Sequence, residues 1–315
     1  RPARGRLAPL AAPRLESPIP PGVTDSGRTR TGRARRAQTG IKAAPRAAGG
    51  GTVTVLRRVS GRKIKLEGFN NLTKTLSFNI YDICYAKSRE SQIDYLEYID
   101  GEYNSEKLLT IVEEVTRIID ARLVNVSTQD YDPRGASVTA LINEHDHNLP
   151  KSEYAGGHAV GHLDKSHITV HTYPEHDAES GIASFRVDVD VSTCGMISPL
   201  RALHYLIDSF DSDIVLMDYR VRGFTRDSKG RKIYIDHDIA SIQDYIAEDV
   251  LSDYQAYDIN ILSANLFTTR MIKKKLVLDD YLFGPEVDGL GQKERRRVRE
   301  LLRQEMQEIF ECQNY

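Results

Sequence analysis

His167-Ile168-Thr169-Val170-His171-Thr172-Tyr173 alternates apolar and polar residues without a break. Ile168, Val170 and Thr172 fall on one side, and His167, Thr169, His171 and Tyr173 on the other. That two-residue period predicts a strand with one buried face. Pro174 is expected to end it, because proline brings no N–H to a ladder. Immediately upstream, His162-Leu163-Asp164-Lys165-Ser166 sets a hydroxyl at the mouth of the strand. A second alternating run, Ser184-Phe185-Arg186-Val187-Asp188-Val189-Asp190-Val191, closes on Ser192-Thr193-Cys194-Gly195, a thiol followed by a glycine.

Working outward, the pattern predicts a strand over 74–86 and a helix over 105–120. The helix carries Leu108, Ile111, Val112, Val115, Ile118 and Ile119 on one face. Strands follow over 122–128 and 137–143. The stretch from Glu144 to Gly161, rich in His, Gly, Asn and Pro, reads as an exposed loop. Ser198 followed by Pro199 opens a helix striped by Leu200, Leu203, Leu206, Ile207 and Phe210. Strands near 213–221 and 231–235 flank an Asp227-Ser228-Lys229-Gly230 turn. Helices over 238–248 and 292–311, with a strand near 257–263 between them, complete the chain. Half-buried antiparallel strands interspersed with helices make the expected fold class α+β: an antiparallel sheet with helices packed on one face, an α/β sandwich.

Of the 315 residues, the first 65 hold 16 Lys and Arg against only Glu16 and Asp25. Their balance of +14 within a net charge of −2 leaves −16 on the rest. Residues 1–60, rich in Arg, Pro, Ala, Gly and Thr, lack the apolar surface to offset the entropy of ordering, so they are read as a disordered basic extension. Such a composition fits a nucleic-acid arm or a targeting peptide. The acidic body weighs against the former. No apolar run is long enough to span a bilayer. Cys84, Cys194 and Cys312 share no metal-ligand spacing and suit a reducing cytoplasm. Seven of the nine histidines lie between His145 and His176, but His145, His147, His158 and His162 lack the paired helical spacing of a zinc hydrolase, and the metal ligands stay unknown.

The wording Lys165-Ser166-His167-Ile168-Thr169-Val170-His171-Thr172-Tyr173-Pro174-Glu175 followed by Ser192-Thr193-Cys194-Gly195 resembles the bacterial S-adenosylmethionine decarboxylase proenzymes, in their Gram-negative-type branch. The resemblance runs from about Lys63 to the C-terminus. It takes in Gly68-Phe69-Asn70-Asn71-Leu72-Thr73-Lys74, Tyr81-Asp82-Ile83-Cys84-Tyr85, Gly135-Ala136-Ser137 and Asp218-Tyr219-Arg220-Val221-Arg222-Gly223-Phe224-Thr225-Arg226-Asp227.

That resemblance implies a pyruvoyl cofactor made from Ser166, by self-cleavage between Lys165 and Ser166 into a 1–165 β chain and a 166–315 α chain. It also implies a Schiff base between substrate and pyruvoyl group, and delivery of an aminopropyl donor for spermidine biosynthesis. His171 matches the family's processing base, Ser137 its assisting hydroxyl and Cys194 its proton donor. A free imidazole, with pKa near ~6.5, is largely neutral at pH 7, and a free thiol, near ~8.5, is mostly protonated, as those tasks require. Magnesium is an activator in the similar branch. No membrane or nucleic-acid partner is expected beside S-adenosylmethionine. Five residues of extended strand would separate Ser166 from His171 by roughly 16 Å. Either the chain turns sharply after Ser166, or the two act across the interface of a homo-oligomer; the second is the expectation. The residues leave open a pyruvoyl decarboxylase of another amino acid, a basic-armed nucleic-acid-binding protein, and an uncleaved homologue regulating an active partner.

Overall fold

The computed structural model describes residues 70–144, 166–210 and 212–315. The proposed 1–60 extension, the start of the 61–315 domain, the 144–161 loop beyond its first residue, and Lys165 lie outside the described residues. From the N-terminal side, β1 (Thr73–Ala86) is followed by α1 (Arg89–Glu102), α2 (Ser105–Ile118), β2 (Ala121–Asp130), β3 (Ala136–Glu144), β4 (His167–His176) and β5 (Ile182–Cys194). Next come α3 (Leu203–Asp208), β6 (Ile214–Arg222), the short hairpin β7 (Thr225–Arg226) and β8 (Lys232–Ile233), and α4 (Glu248–Asp253). The chain closes with β9 (Tyr254–Asp258), β10 (Leu266–Lys273), β11 (Leu282–Phe283) and α5 (Gln292–Glu311). One sheet runs β2-β3-β4-β5-β1-β6-β10-β9, every pair antiparallel, with β11 joining β1 in parallel.

The two-residue period is what divides this sheet into faces. Leu76, Phe78 and Ile80 of β1, Ile168 and Val170 of β4, Val187, Val189 and Val191 of β5, and Met217 and Tyr219 of β6 all sit at or below 1 % exposure. They form one core beneath α1, α2 and α3, which contribute Tyr95, Leu96, Ile99, Leu108, Val112, Val115, Leu203 and Leu206. On the opposite face α5 covers one end of the sheet. Val298, Leu302, Met306 and Phe310, spaced four apart, pack with Ile83, Ile182 and Ile214 in a second core. The other end of that face carries Thr73, Thr75, Ser77 and Asn79 of β1 with Asp188, Asp190 and Ser192 of β5, and no described helix lies over it.

The α+β class and the helical layer agree with the sequence expectation; α5 adds a helix on the second face. Several boundaries differ. β4 continues through Pro174, which faces Phe185 of β5, because the β3 pairing stops at His171 and leaves the other edge of β4 with no ladder for the missing N–H to interrupt. Ser198 makes no side-chain cap, and Pro199–Ala202 form a 3-10 turn before α3. The helix expected over 238–248 is instead a 3-10 turn, Ile242–Tyr245, capped by Ser241, then α4, with extended Ile246 and Ala247 between them. The strand expected near 257–263 lies at 254–258, and that near 231–235 keeps only two residues. α1 went unpredicted because Tyr95, Leu96 and Ile99 are too few to show a stripe; Ser88 starts it by accepting the Ser91 N–H. The Asp227 turn is as expected, its carboxylate accepting from the backbone of Lys229 and Arg231.

Leu302 is fully buried at the centre of the α5 contact. Leu302→Ala is expected to lower unfolding stability by about 2–5 kcal/mol. A urea midpoint unchanged from wild type would show that α5 does not depend on this packing.

Candidate active site

Ser166 stands one residue before β4, 5 % exposed. Its carbonyl accepts the Ile142 N–H at 3.1 Å, and its hydroxyl oxygen accepts the backbone N–H of Cys194 at 3.2 Å. These bonds tie the residue to the strands on both sides. The Cys194 thiol lies at the end of β5, with Sγ 3.6 Å from the Thr73 hydroxyl of β1. Ser166 and Cys194 therefore meet, through a backbone donor rather than through the thiol.

His171 and Ser137 form the other gathering. They are direct register partners between β4 and β3, and Ser137 is 9 % exposed. The Tyr131 hydroxyl stands 3.5 Å from His171 Nδ1. Across β5 the same row continues to Asp188, which is hydrogen-bonded by Asn79 and ion-paired with Arg186 at 3.1 Å. β4 runs without a bulge between His167 and His171. Five residues at about 3.3 Å each place His171 some 16 Å from Ser166, and six such steps along β5 separate the His171 row from Cys194 by about 20 Å. The four sequence-predicted residues thus form two separate pairs, with His171, Ser137 and Cys194 in step with the polar face and Ser166 buried in step with Ile168 and Val170.

Beneath the Cys194 end sits a buried polar cluster that sequence reasoning missed. Lys74 Nζ lies 2.8 Å from Asp236 and donates to the Gly195 carbonyl at 3.0 Å, the two side chains being 3 % and 7 % exposed. Asn70 Nδ2 donates to the same carbonyl and to Asp236, at 3.0 and 2.9 Å. Asp236 also meets His237 Nδ1 at 2.8 Å, and His237 Nε2 stands 3.1 Å from the Tyr219 hydroxyl. Burial opposes ionisation of Asp236, but the His237 hydrogen bond, the Lys74 ammonium and the Asn70 amide more than offset it, so its carboxyl stays ionised well below the usual carboxylate range. Burial, helped by the Asp236 charge, pushes the Tyr219 phenol well above its ordinary value, which keeps it a donor. The only sequence signal for this cluster was Lys74 at a position whose alternation makes it inward-facing. Among the described residues no three His, Cys, Asp or Glu side chains converge to hold a metal ion. None of the described helices is long and apolar enough to cross a membrane.

The model of the S-adenosylmethionine decarboxylase family matches residues 99–223, a span that includes Ser137, Ser166, His171 and Cys194. The S-adenosylmethionine decarboxylase proenzyme of Hahella chejuensis is 58 % identical over 258 residues, covering 80 % of this chain and 98 % of that protein. The chain belongs to the S-adenosylmethionine decarboxylase family. Relatives of the same description from Chromohalobacter salexigens and Clostridium botulinum Eklund 17B are 57 % and 56 % identical, covering 80 % of this chain and 98 % and 97 % of their own lengths. Among solved structures, the adenosylmethionine decarboxylase from Aquifex aeolicus VF5 matches 54 % of this chain and 99 % of its own at 18 % identity and a TM-score of 0.30, a distant likeness. The family match covers the stretch where the two residue pairs lie, whereas Lys74 and Asp236 fall on either side of it.

Removing one member of a buried ion pair strands the other charge. Lys74→Met is therefore expected to cost about 3–5 kcal/mol of unfolding stability, measured by urea titration. Because the Asp236 carboxyl is depressed in the folded state, its contribution is complete above the unfolded value near ~3.9 and is lost as pH falls from there through the folded value. Asp236→Asn should accordingly lose less stability than wild type on acidification below pH ~4. Parallel acid profiles for the two proteins would contradict that coupling.

Proposed function

We propose that this chain is a self-processing carboxy-lyase of the cytoplasm that converts S-adenosylmethionine to S-adenosylmethioninamine, the aminopropyl donor for spermidine. Family membership over nearly the whole length of the relatives selects that activity. The observation supporting the role of Ser166 is its hydroxyl, buried and oriented by the Cys194 N–H at the head of β4.

In the proposed maturation, Ser166 Oγ attacks the Lys165 carbonyl carbon. The bond from that carbon to the Ser166 nitrogen breaks, and the hydroxyl proton ends on the nitrogen, leaving an ester and a free amine. A base then takes the Ser166 α-proton, and the Cβ–Oγ bond breaks with its electrons leaving on the Lys165 carboxylate. The resulting dehydroalanine rearranges to an imine, adds water and releases ammonia, which leaves a pyruvoyl end on residues 166–315 and frees 1–165 as the companion chain. The buried hydroxyl with a backbone donor beside it fits this group. Residue 166 would hold that group, which would supply an electrophilic carbonyl for a substrate amine and a sink for the electron pair freed by carbon dioxide.

His171 is the proposed base, assisted by Ser137 and held by Tyr131. Cys194 is the proposed acid that returns a proton to the substrate α-carbon. Within one chain His171 stands too far from Ser166 for hydrogen-bond reach, so we assign each complete site to two copies. A two-fold axis running across the strands between the Asp190 and Ser192 rows would lay two polar half-faces together, bringing the His171–Ser137 pair of one copy over the Ser166–Cys194 pair of the other. No ligands are assigned to magnesium, the activator the resemblance implies: among the described residues no three His, Cys, Asp or Glu side chains converge, and Asp188, Asp190 and Asp218 are each already bonded to a neighbouring side chain.

Ser166→Ala is expected to remain a single chain by denaturing mass spectrometry, and His171→Ala to be cut at least a hundredfold more slowly. Co-refolding the two should restore cleavage of the His171→Ala chain. A wild-type monomer held at dilution that cleaves at the full rate would rule out the shared site. Cys194→Ser should be cleaved yet decarboxylate at least tenfold more slowly, measured by release of carbon dioxide from carboxyl-labelled substrate.

A further inference from the structure

The Lys74–Asp236 cluster serves neither of the residue pairs directly, yet it ends on the carbonyl of Gly195, the residue that follows Cys194. The Gly195 carbonyl accepts from both Lys74 Nζ and Asn70 Nδ2, at 3.0 Å each. On its other side, the Gly195 N–H donates to the Leu72 carbonyl at 3.2 Å, and the Leu72 N–H in turn donates to Asn70 Oδ1 at 3.1 Å. Gly195 has φ +69, in the left-handed region where the chain leaves β5. Thr193, one residue before Cys194, bonds the Ile197 carbonyl at 3.1 Å from inside the same turn. The Gly195–Met196 peptide is thus held from beneath by an ammonium and an amide that are themselves fixed by Asp236, and the Cys194–Gly195 peptide before it is held by the Leu72 carbonyl. Asp236 is fixed in turn by His237, which Tyr219 backs.

We infer that Lys74, Asp236 and Asn70 are positioning residues for self-cleavage, clamping the Cys194–Gly195 turn so that the Cys194 N–H points at the Ser166 hydroxyl. The inference rests on the proposed role of Ser166. The clamp touches no reacting atom. It acts through one backbone donor, which lies 3.2 Å from Ser166 Oγ and orients that oxygen. A shift of the turn by a few tenths of an ångström would loosen that bond and let the hydroxyl rotate away from attack. An ammonium suits the task because it donates to the carbonyl and the carboxylate at once, which no apolar side chain of similar length can do.

The test must separate positioning from support of the fold, since Lys74→Met alone strands the Asp236 charge. Replacing both members of a buried pair with apolar residues commonly leaves stability unchanged or improved. The decisive variant is therefore the double substitution Lys74→Met with Asp236→Leu, compared with Lys74→Met, Asn70→Ala, Lys74→Arg and wild type. Each full-length chain is purified soon after synthesis. The half-time of conversion to two fragments is followed by denaturing mass spectrometry, and the urea midpoint is measured on the same preparation carrying Ser166→Ala to prevent cutting.

Under the inference, the double variant recovers wild-type stability but cleaves at least tenfold more slowly, Asn70→Ala slows cleavage several-fold, and Lys74→Arg restores part of the rate lost in Lys74→Met. Wild-type cleavage by the double variant, once its stability has recovered, would overturn the clamp and leave the cluster a structural one. If the wild-type chain itself stays whole, the proposed role of Ser166 falls instead, and the two failures are told apart in one experiment.

Discussion

The pleat of a strand governs this molecule: side chains alternate between faces every residue, and each residue advances the chain by about 3.3 Å. In β4 the first property sends Ile168, Val170 and Thr172 into the core and His167, Thr169 and His171 to the polar face. The second property keeps Ser166 and His171 apart. Because β4 is paired along this stretch with β3 and β5 in continuous register, it cannot bend to close the gap without breaking ladder bonds on both sides. That separation is what the proposed two-copy site answers.

The two faces of the sheet divide the work of the fold. Helices α1–α3 seal one face with a continuous apolar layer, and α5 seals one end of the other. What remains is a half-face whose rows of Thr, Ser, Asn and Asp satisfy one another across strands, as Ser77 does with Asp190, Asn79 with Asp188 and Thr268 with Asp218. Groups already paired side to side can be covered by a second polar surface at little desolvation cost, which is consistent with the proposed pairing of two copies. The same cross-strand pairing holds the His171 row in place, since Asp188 is fixed by Asn79 and Arg186 before it reaches the imidazole's neighbourhood.

The buried ion pair under Gly195 is costly by nature, because taking an ammonium and a carboxylate from water is repaid only when both find further partners. Here both do: Lys74 has the Gly195 carbonyl, and Asp236 has Asn70 and His237. Four segments distant in sequence, around residues 70–74, 194–195, 219 and 236–237, converge on that network. Its charge explains how a lysine occupies an inward position of β1 amid a row of aliphatic residues.

Much of the sheet was legible from residue order alone, because a two-residue period or an i, i+4 stripe is a local pattern. β1, α2, β2 to β6 and α5 declared themselves in that way, and the pairing of a hydroxyl, an imidazole and a thiol in familiar wording pointed to Ser166, His171 and Cys194. α1 and β10 stayed hidden, since their burial comes from neighbours supplied by other parts of the chain rather than from a strong internal period. The run through Pro174 likewise depends on where β3 stops. Linear order therefore determined which residues alternate, which face each strand shows and which chemistry is on hand. Only the folded arrangement decided that Ser166 meets the Cys194 backbone, that His171 meets Ser137, and that Lys74 and Asp236 join beneath Gly195, because such contacts join positions 28, 34, 162 and 121 residues apart and no short window of sequence contains both partners.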